Sequence, residues 1–367
     1  MKQTHNLLVD VLLTPSLVTD FSNADWDLLV RQANHSRLLG RVDYRLADKQ
    51  VPEGPAAHLE AARRVTQRQR QAVRFEVAQI RHALAPLGVP VVLLKGAAYV
   101  AAGLAPAQGR IFSDIDILVP KTRLEEVEQA MLLHGWVGGH HDAYDEEYYR
   151  NWMHEIPPLR HVKRQTVVDV HHTILPETCR AKPDPDKLMS AANPVSEHED
   201  VFTLSSLDIV LHSATHLFYE GELEHGLRDL VDLDALLRHF SKDETFWDRL
   251  IERAAEMDLR RPLYYALRYT QRILQTPVPD ATMRAAAAIG KPPTPLAWLM
   301  DALFGRALMP DHSSCDDALT PLARWLLYIR SHYLRMPFHL LLPHLVRKAI
   351  KKRFSPVQAD VPKLEDN

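Results

Sequence analysis

The chain has 367 residues, a formal net charge of −3 and 46% apolar residues. At roughly 150 residues per domain this length predicts two or three globular domains, and the composition excludes collagen-like and largely disordered proteins. The two distant cysteines, Cys179 and Cys315, exclude a disulfide framework, and no run of about 18 uncharged apolar residues occurs, so we expect a cytoplasmic protein without a membrane-spanning helix.

The N-terminal part, residues 1–85, is predicted to be helical. Only 13 residues of the whole chain are glycine, which favours helices because glycine weakens their interiors. Residues 56–85 contain neither glycine nor proline and predict one long amphipathic helix. Its expected inward-facing side chains are Leu59, Val65, Val73, Val77 and Ile80.

Three strands are predicted after this helix. The first is the short apolar run 91–94, which a proline and a glycine bound. The second strand covers residues 111–119 and the third covers residues 165–171, and both alternate between apolar and polar side chains. A helix is expected at about 122–134, and residues 136–163 are predicted to be irregular.

From about residue 185 the chain is predicted to be helical again. A serine-capped helix is expected at about 206–219, and a second helix follows at about 226–240. Further amphipathic stretches occupy residues 245–275 and 281–305. This part of the chain is therefore expected to be a helical region without strands.

Asp114 and Asp116 are the most informative residues of the chain. A spacing of two on a strand places both carboxylates on one face, about 7 Å apart along the backbone. Hard oxygen ligands suit Mg²⁺, and Asp169 on the third strand is a candidate third ligand. Three carboxylates on adjacent strands could hold two metal ions, Mg²⁺ or Mn²⁺, for an in-line phosphoryl displacement. The alternative is an edge strand with a polar outer face.

A glycine turn precedes these aspartates. Lys95 and Gly96 end the first strand and open a helix, and the amides of such a turn can bind an anion. The order of strand, glycine turn, helix, Asp-x-Asp strand and single-Asp strand resembles the nucleotidyltransferases of the DNA polymerase beta superfamily. The chain looks closest to a subgroup of uncharacterised bacterial nucleotidyltransferases, whose pattern is met here by Leu94-Lys95-Gly96, Arg110, Asp114–Val119 and Val168–His171.

This resemblance implies a fold and an activity. The fold would be α+β, with a small mixed-sheet nucleotidyltransferase domain flanked by helices. Asp114 and Asp116 would bind the metal ions that hold a triphosphate. Asp169 would complete the second metal site and help to activate an acceptor hydroxyl. The implied reaction is Mg²⁺-dependent transfer of a nucleoside monophosphate from an NTP to an unidentified acceptor, with release of pyrophosphate.

The glycine turn departs from the superfamily pattern. Gly96 would bring the backbone close to the phosphates, but the superfamily usually has serine or glycine at the position of Ala97. The hydroxyl that would contact a phosphate is therefore missing, although Lys95 could replace it as a point charge. This departure keeps open a second hypothesis, a non-catalytic module that retains the fold and binds a nucleotide or a protein.

The chain is expected to divide into four parts. Residues 1–85 would form an N-terminal helical region, and residues 86–175 the nucleotidyltransferase domain. A C-terminal helical domain would cover residues 176–355, and residues 356–367 would form a polar tail.

Three further residues are candidate nucleotide contacts. Arg110 could clamp a phosphate, or it could form a salt bridge that positions the aspartates. Ser113 could donate a hydrogen bond to a phosphate, or it could be a polar residue at the start of a strand. His171 follows Asp169 on the same face, so it could contact the nucleotide, support a metal ligand or be a structural histidine.

A third hypothesis is a metal hydrolase. His212 and His216 have the i, i+4 spacing of zinc ligands on a helix, and Asp229 or Asp232 could add a carboxylate. The residue after the first histidine is Ser213, so the glutamate of the HExxH motif is absent. Buried histidines that pack against acidic residues of the next helix are the alternative.

The remaining expectations concern partners. The net charge of −3 argues against long nucleic acid as a partner. Residues 336–354 combine an apolar run with five basic residues and could lie on an anionic membrane surface. Two prolines interrupt this segment, which favours a packed C-terminal helix with a solvated basic end.

Overall fold

The computed structural model describes residues 6–139, 153–195, 198–219, 221 and 223–335. The predicted polar tail, 356–367, and the basic segment 336–354 lie outside the described residues. Within the described ranges, no helix is long and apolar enough to cross a membrane.

Four helices open the chain, and the fourth confirms the predicted long helix. Their bounds are α1 Leu7–Leu13, α2 Asn23–His35, α3 Leu39–Arg45 and α4 Glu53–Leu84. Four of the five expected inward-facing residues of α4 are buried, but Val65 is 48% exposed. The buried residues Leu59, Thr66, Val73 and Ile80 recur every seventh position. Thr66 therefore occupies the inward stripe, and Val65 lies to one side of it.

In the described part of the chain, a mixed sheet of seven strands lies at the centre, which confirms the α+β fold. The strand order is β3-β4-β5-β2-β1-β7-β6. β2 runs parallel to β5 and β1 runs parallel to β7, whereas β1 and β2 are antiparallel. The strand bounds are β1 Val91–Leu93, β2 Ile115–Leu118, β3 Trp136–Gly138, β4 Leu159–His161, β5 Val167–His171, β6 Asn193–Val195 and β7 His198–Thr203.

The sheet is larger than the sequence predicted. β3 and β4 lie in the segment that was predicted to be irregular, and β6 and β7 lie in the part that was predicted to be purely helical. β3, β4 and β6 have three residues each and are too short to show a clear alternation of polar and apolar side chains, whereas β7 has six residues. Because β7 pairs with β1, the sheet extends beyond the predicted limits of 86 and 175. The division into four parts stays a prediction.

Helices cover the sheet and continue to the end of the described chain. The predicted helices at 206–219 and 226–240 are confirmed, whereas 245–275 and 281–305 each form two helices. The stretch 245–275 breaks at Asp258, which has a φ of 56°, and the stretch 281–305 breaks at Pro292 and Pro293. The helix bounds are α5 Lys95–Ala101, α6 Leu124–Leu133, α7 Pro185–Ser190, α8 Ser206–Tyr219, α9 Gly226–Phe240, α10 Phe246–Glu256, α11 Arg260–Leu274, α12 Asp280–Gly290, α13 Thr294–Ala307 and α14 Thr320–Arg335.

Candidate active site

The centre of the site is a pair of aspartates on neighbouring strands. Asp116 on β2 lies directly opposite Asp169 on β5 in the parallel register. Residues that lie opposite each other on adjacent strands point to the same face of the sheet, so the two side chains lie together. The alternate residues Val168 and Val170 point to the other face, where they are fully buried. Asp114 precedes β2 and is exposed, and Ser113 Oγ donates a hydrogen bond of 3.0 Å to its Oδ1.

Lys95 neutralises one member of the pair. Its Nζ lies 2.8 Å from Asp116 Oδ1, and Asp116 is only 3% exposed. Burial alone would raise the pKa of Asp116, but Lys95 and His171 outweigh burial and hold the pKa well below its ordinary value. Lys95 begins α5 with a φ of 43°, which is unusual for a residue other than glycine. The amide of Leu94 donates to the carbonyl oxygen of Asp116 at 2.9 Å and holds this turn against β2.

His171 lies between two carboxylates. Its Nε2 donates to Asp116 Oδ1 at 3.1 Å and lies 3.4 Å from Glu155 Oε2. Burial disfavours the charged imidazole, but Glu155 and Asp116 outweigh burial and raise the pKa of His171. Of the three roles considered from the sequence, a direct contact with a candidate metal-binding carboxylate is the one that the geometry shows.

Asp169 has the opposite environment to Asp116. Burial, together with Asp116 and Glu155, raises the pKa of Asp169 from its ordinary value of 3.8 to about 7. Its Oδ1 is buried and has no hydrogen-bond partner among the described residues. A buried carboxylate oxygen without a donor, beside other carboxylates, fits a site for a bound cation.

Two residues of the site were missed from the sequence. Glu155 forms an antiparallel bridge with His171, and the amide of Ile156 donates to the carbonyl of Val170 at 3.0 Å. These contacts place His154 and Glu155 beside the end of β5. Within the described ranges, the one group of three acidic, histidine or cysteine side chains with ligand atoms all within 4.8 Å is His154, Glu155 and His171. Asp114, Asp116 and Asp169 do not come that close together.

The glycine turn is packed against protein atoms. A Cβ on Gly96 would lie 2.7 Å from Phe112 Cδ1 and 2.8 Å from Arg110 Nη1. Gly96 is therefore needed for close packing, whatever its relation to phosphates. Ala97 is 1% exposed and lines a small cavity with Val73 of α4 and other apolar residues, so it belongs to the packing between helix and sheet.

Arg110 does not pair with the Asp-x-Asp aspartates. Its Nε lies 2.6 Å from Asp232 Oδ2 on α9, and Arg41 Nη2 lies 3.2 Å from Asp232 Oδ1. The side chains of all three residues are at most 11% exposed. The predicted salt bridge that would position the aspartates is therefore not formed, and Arg110 pairs with Asp232 instead. This triad joins α3, the segment before β2 and α9.

The proposed zinc ligands of a hydrolase are not assembled. Both carboxylate oxygens of Asp232 are bound by arginines, and His212 and His216 form no three-ligand group among the described residues. The two histidines instead lie near Lys95. Burial, with Lys95 and His171 nearby, lowers the pKa of His212 to about 3, and burial with Lys95 lowers the pKa of His216 well below its ordinary value.

Comparison with known protein families identifies the family of the chain. A model of an uncharacterised nucleotidyltransferase family matches residues 22–275. The chain belongs to this nucleotidyltransferase family. No curated protein and no solved structure matches the chain. The matched region extends from α2 through α11, so it includes the aspartates, Lys95, Glu155 and the arginine triad on Asp232. Family membership supports nucleotidyl transfer in general terms.

Proposed function

We propose that this protein transfers a nucleoside monophosphate from an NTP to an acceptor hydroxyl and releases pyrophosphate, with Mg²⁺ as the metal. The observation that carries the proposal is the register of Asp116 and Asp169 on adjacent parallel strands, with Asp114 two residues before Asp116. The buried and unpartnered Oδ1 of Asp169 supports a cation at this position. Mn²⁺ could replace Mg²⁺, since both accept carboxylate ligands.

The residues of the site have distinct roles in this proposal. Asp114, Asp116 and Asp169 would hold Mg²⁺, which when bound neutralises negative charge on the transferred phosphoryl group. Lys95 places a cation beside Asp116. Asp169 would also help to activate the acceptor hydroxyl by accepting its proton. Positioning and charge neutralisation then account for most of the catalysis.

The second candidate function is a non-catalytic module. Two observations favour it: Gly96 is covered by Phe112 and Arg110, and the position of Ala97 lacks a hydroxyl. In this case the site binds a nucleotide or a protein without turnover. The hydrolase hypothesis has no comparable support, because Asp232 is committed to two arginines.

Pyrophosphate release separates the two functions. The full chain is incubated with each of the four NTPs and Mg²⁺, with a panel of sugars, small alcohols, proteins and RNA ends as acceptors. Transfer predicts metal-dependent release with at least one NTP. Asp114→Asn, Asp116→Asn and Asp169→Asn should each abolish it. Asp27→Asn is the matched control, because Asp27 is exposed on α2 and pairs with the exposed Arg31. Metal-independent nucleotide binding without release across the panel would favour the module.

A further inference from the structure

A second group of candidate ligands lies beside the aspartates and differs from them in chemistry. His154, Glu155 and His171 bring two imidazole nitrogens and a carboxylate oxygen within 4.8 Å of one another. The aspartate positions offer only oxygen atoms, which suit Mg²⁺. Imidazole ligands suit zinc and other first-row transition metals. The two sets of residues therefore favour different ions.

Backbone contacts hold the three ligands in place. Glu155 and His171 face each other across an antiparallel bridge, and the amide of His172 donates to the carbonyl of His154 at 2.9 Å. The rings of His154 and His171 are 5.1 Å apart between centroids. Ligands that are fixed by strand pairing lose little conformational freedom when an ion binds.

The surroundings of His171 favour a cation. Its Nε2 lies 3.1 Å from Asp116 Oδ1 and 3.4 Å from Glu155 Oε2, so the ring nitrogen faces two carboxylates. His171 is 2% exposed, whereas the side chains of His154 and Glu155 are 16% and 17% exposed. The group is thus most deeply buried at His171 and less deeply buried at His154 and Glu155.

We propose that His154, Glu155 and His171 form a binding site for a transition-metal ion, with Zn²⁺ as the ion that fits best. Two histidines, one glutamate and one open position make up a known donor set of catalytic zinc. The fourth position would be taken by water or by a group of the substrate. This site adjoins the aspartate site, because His171 Nε2 contacts Asp116 Oδ1, and a Zn²⁺ that binds Nε2 would replace the proton that this nitrogen donates to Asp116. The proposal does not depend on nucleotidyl transfer.

Metal binding to the full chain tests the proposal directly. Protein treated with a chelator and dialysed is titrated with Zn²⁺ in a calorimeter, and with Co²⁺ while its visible absorption is recorded. The expected result is one Zn²⁺ per chain and the intense Co²⁺ bands of low-coordinate geometry. His154→Ala and Glu155→Gln should each weaken Zn²⁺ binding by at least about 100-fold, since even loss of an outer partner of a metal ligand costs 10–100-fold.

Two control variants locate the site. His172→Asn removes the neighbouring imidazole, which lies outside the group, and Asp114→Asn removes a residue of the aspartate site; both should retain Zn²⁺ affinity. Circular dichroism checks the fold, and Glu155→Gln, which keeps the side-chain shape, gives the result if His154→Ala fails to fold. The proposal is overturned if the wild type binds no Zn²⁺, if Glu155→Gln leaves the affinity unchanged, or if Asp114→Asn lowers it as much as the ligand variants do.

Discussion

Asp116 and Asp169 lie opposite each other on parallel strands, but only Asp116 has a cation in contact with it. Lys95 Nζ lies 2.8 Å from Asp116, whereas Asp169 Oδ1 has no hydrogen-bond partner in the described part of the chain. The pKa of Asp116 is accordingly held low, and burial together with Asp116 raises the pKa of Asp169 to about 7. The protein thus keeps one carboxylate ionised and leaves the other dependent on a proton or a bound cation.

The raised pKa of Asp169 predicts how the effect of Asp169→Asn on stability changes with pH. In the unfolded chain Asp169 titrates near 3.8, and in the folded chain near 7, so the folded state favours the protonated form. Ionised Asp169 therefore costs stability, and the cost grows as pH rises from 3.8 to 7. Asparagine removes the cost, so Asp169→Asn should stabilise the metal-free protein more at pH 8 than at pH 5, by on the order of 2 kcal/mol.

Urea unfolding in the presence of a chelator, at pH 5 and pH 8, measures this difference. Asp27→Asn, an exposed aspartate of α2, serves as the control and should show no such change between the two pH values. An equal effect of Asp169→Asn at both pH values would contradict the unequal environments of the pair.

The contact of Asp232 with two arginines predicts a large effect of its removal. Asp232→Asn removes the one carboxylate that contacts both buried Arg41 and Arg110, and breaking a buried ion pair typically costs about 3–5 kcal/mol. The loss should appear as a lower urea midpoint. Glu60→Gln, which breaks the exposed pair of Glu60 with Arg64, should cost less than about 1 kcal/mol. Similar midpoints for the two variants would show that the triad contributes little.

The packing around Gly96 predicts that even a methyl group is not tolerated there. The added Cβ would approach Phe112 Cδ1 to 2.7 Å and Arg110 Nη1 to 2.8 Å. Gly96→Ala should therefore lower the free energy of unfolding by about 1–3 kcal/mol. Gly305→Ala is the control, because nothing lies within 4 Å of a Cβ at that helical position, and it should be neutral or stabilising.

A compensating change tests the cause of the Gly96→Ala effect. Phe112→Leu shortens the side chain that the methyl group meets. Gly96→Ala should therefore lower the free energy of unfolding by less in the Phe112→Leu protein than in the wild type. If the two effects simply add, the clash with Phe112 is not the reason for the loss.

The sequence predicts the parts of the fold in which the pattern is strong and local. The glycine- and proline-free run of α4 and the alternation around Asp116 and Asp169 predict a long helix and two strands, and both are present. The register that places Asp116 opposite Asp169 depends on pairing between distant segments, which no local pattern encodes. Three-residue strands such as β3 and β4 carry too little periodicity to be recognised.

The candidate site shows the same limit at the level of single residues. Asp116 and Asp169 could be selected because charged residues within apolar strands are costly unless they have a role, and Asp114 because the sequence predicts a strand that includes it. Glu155 gave no such signal, because it lies in a segment without alternation and reaches the site through one bridge to His171. The partner of Arg110 is 122 positions away, so its ion pair follows only from tertiary packing.

The neutral state of His212 predicts a loss of stability in acid. Burial, with Lys95 and His171 nearby, lowers its pKa from 6.5 to about 3, so the folded protein holds His212 uncharged. The contribution of His212 to the free energy of unfolding is fully present above pH 6.5. It is lost as pH falls towards 3, at up to about 1.4 kcal/mol per pH unit. His212→Gln should therefore lose less stability between pH 7 and pH 5 than the wild type does. Urea unfolding at both pH values, with the exposed His58→Gln as control, measures the slopes. Identical slopes for wild type and His212→Gln would mean that His212 does not contribute to acid sensitivity.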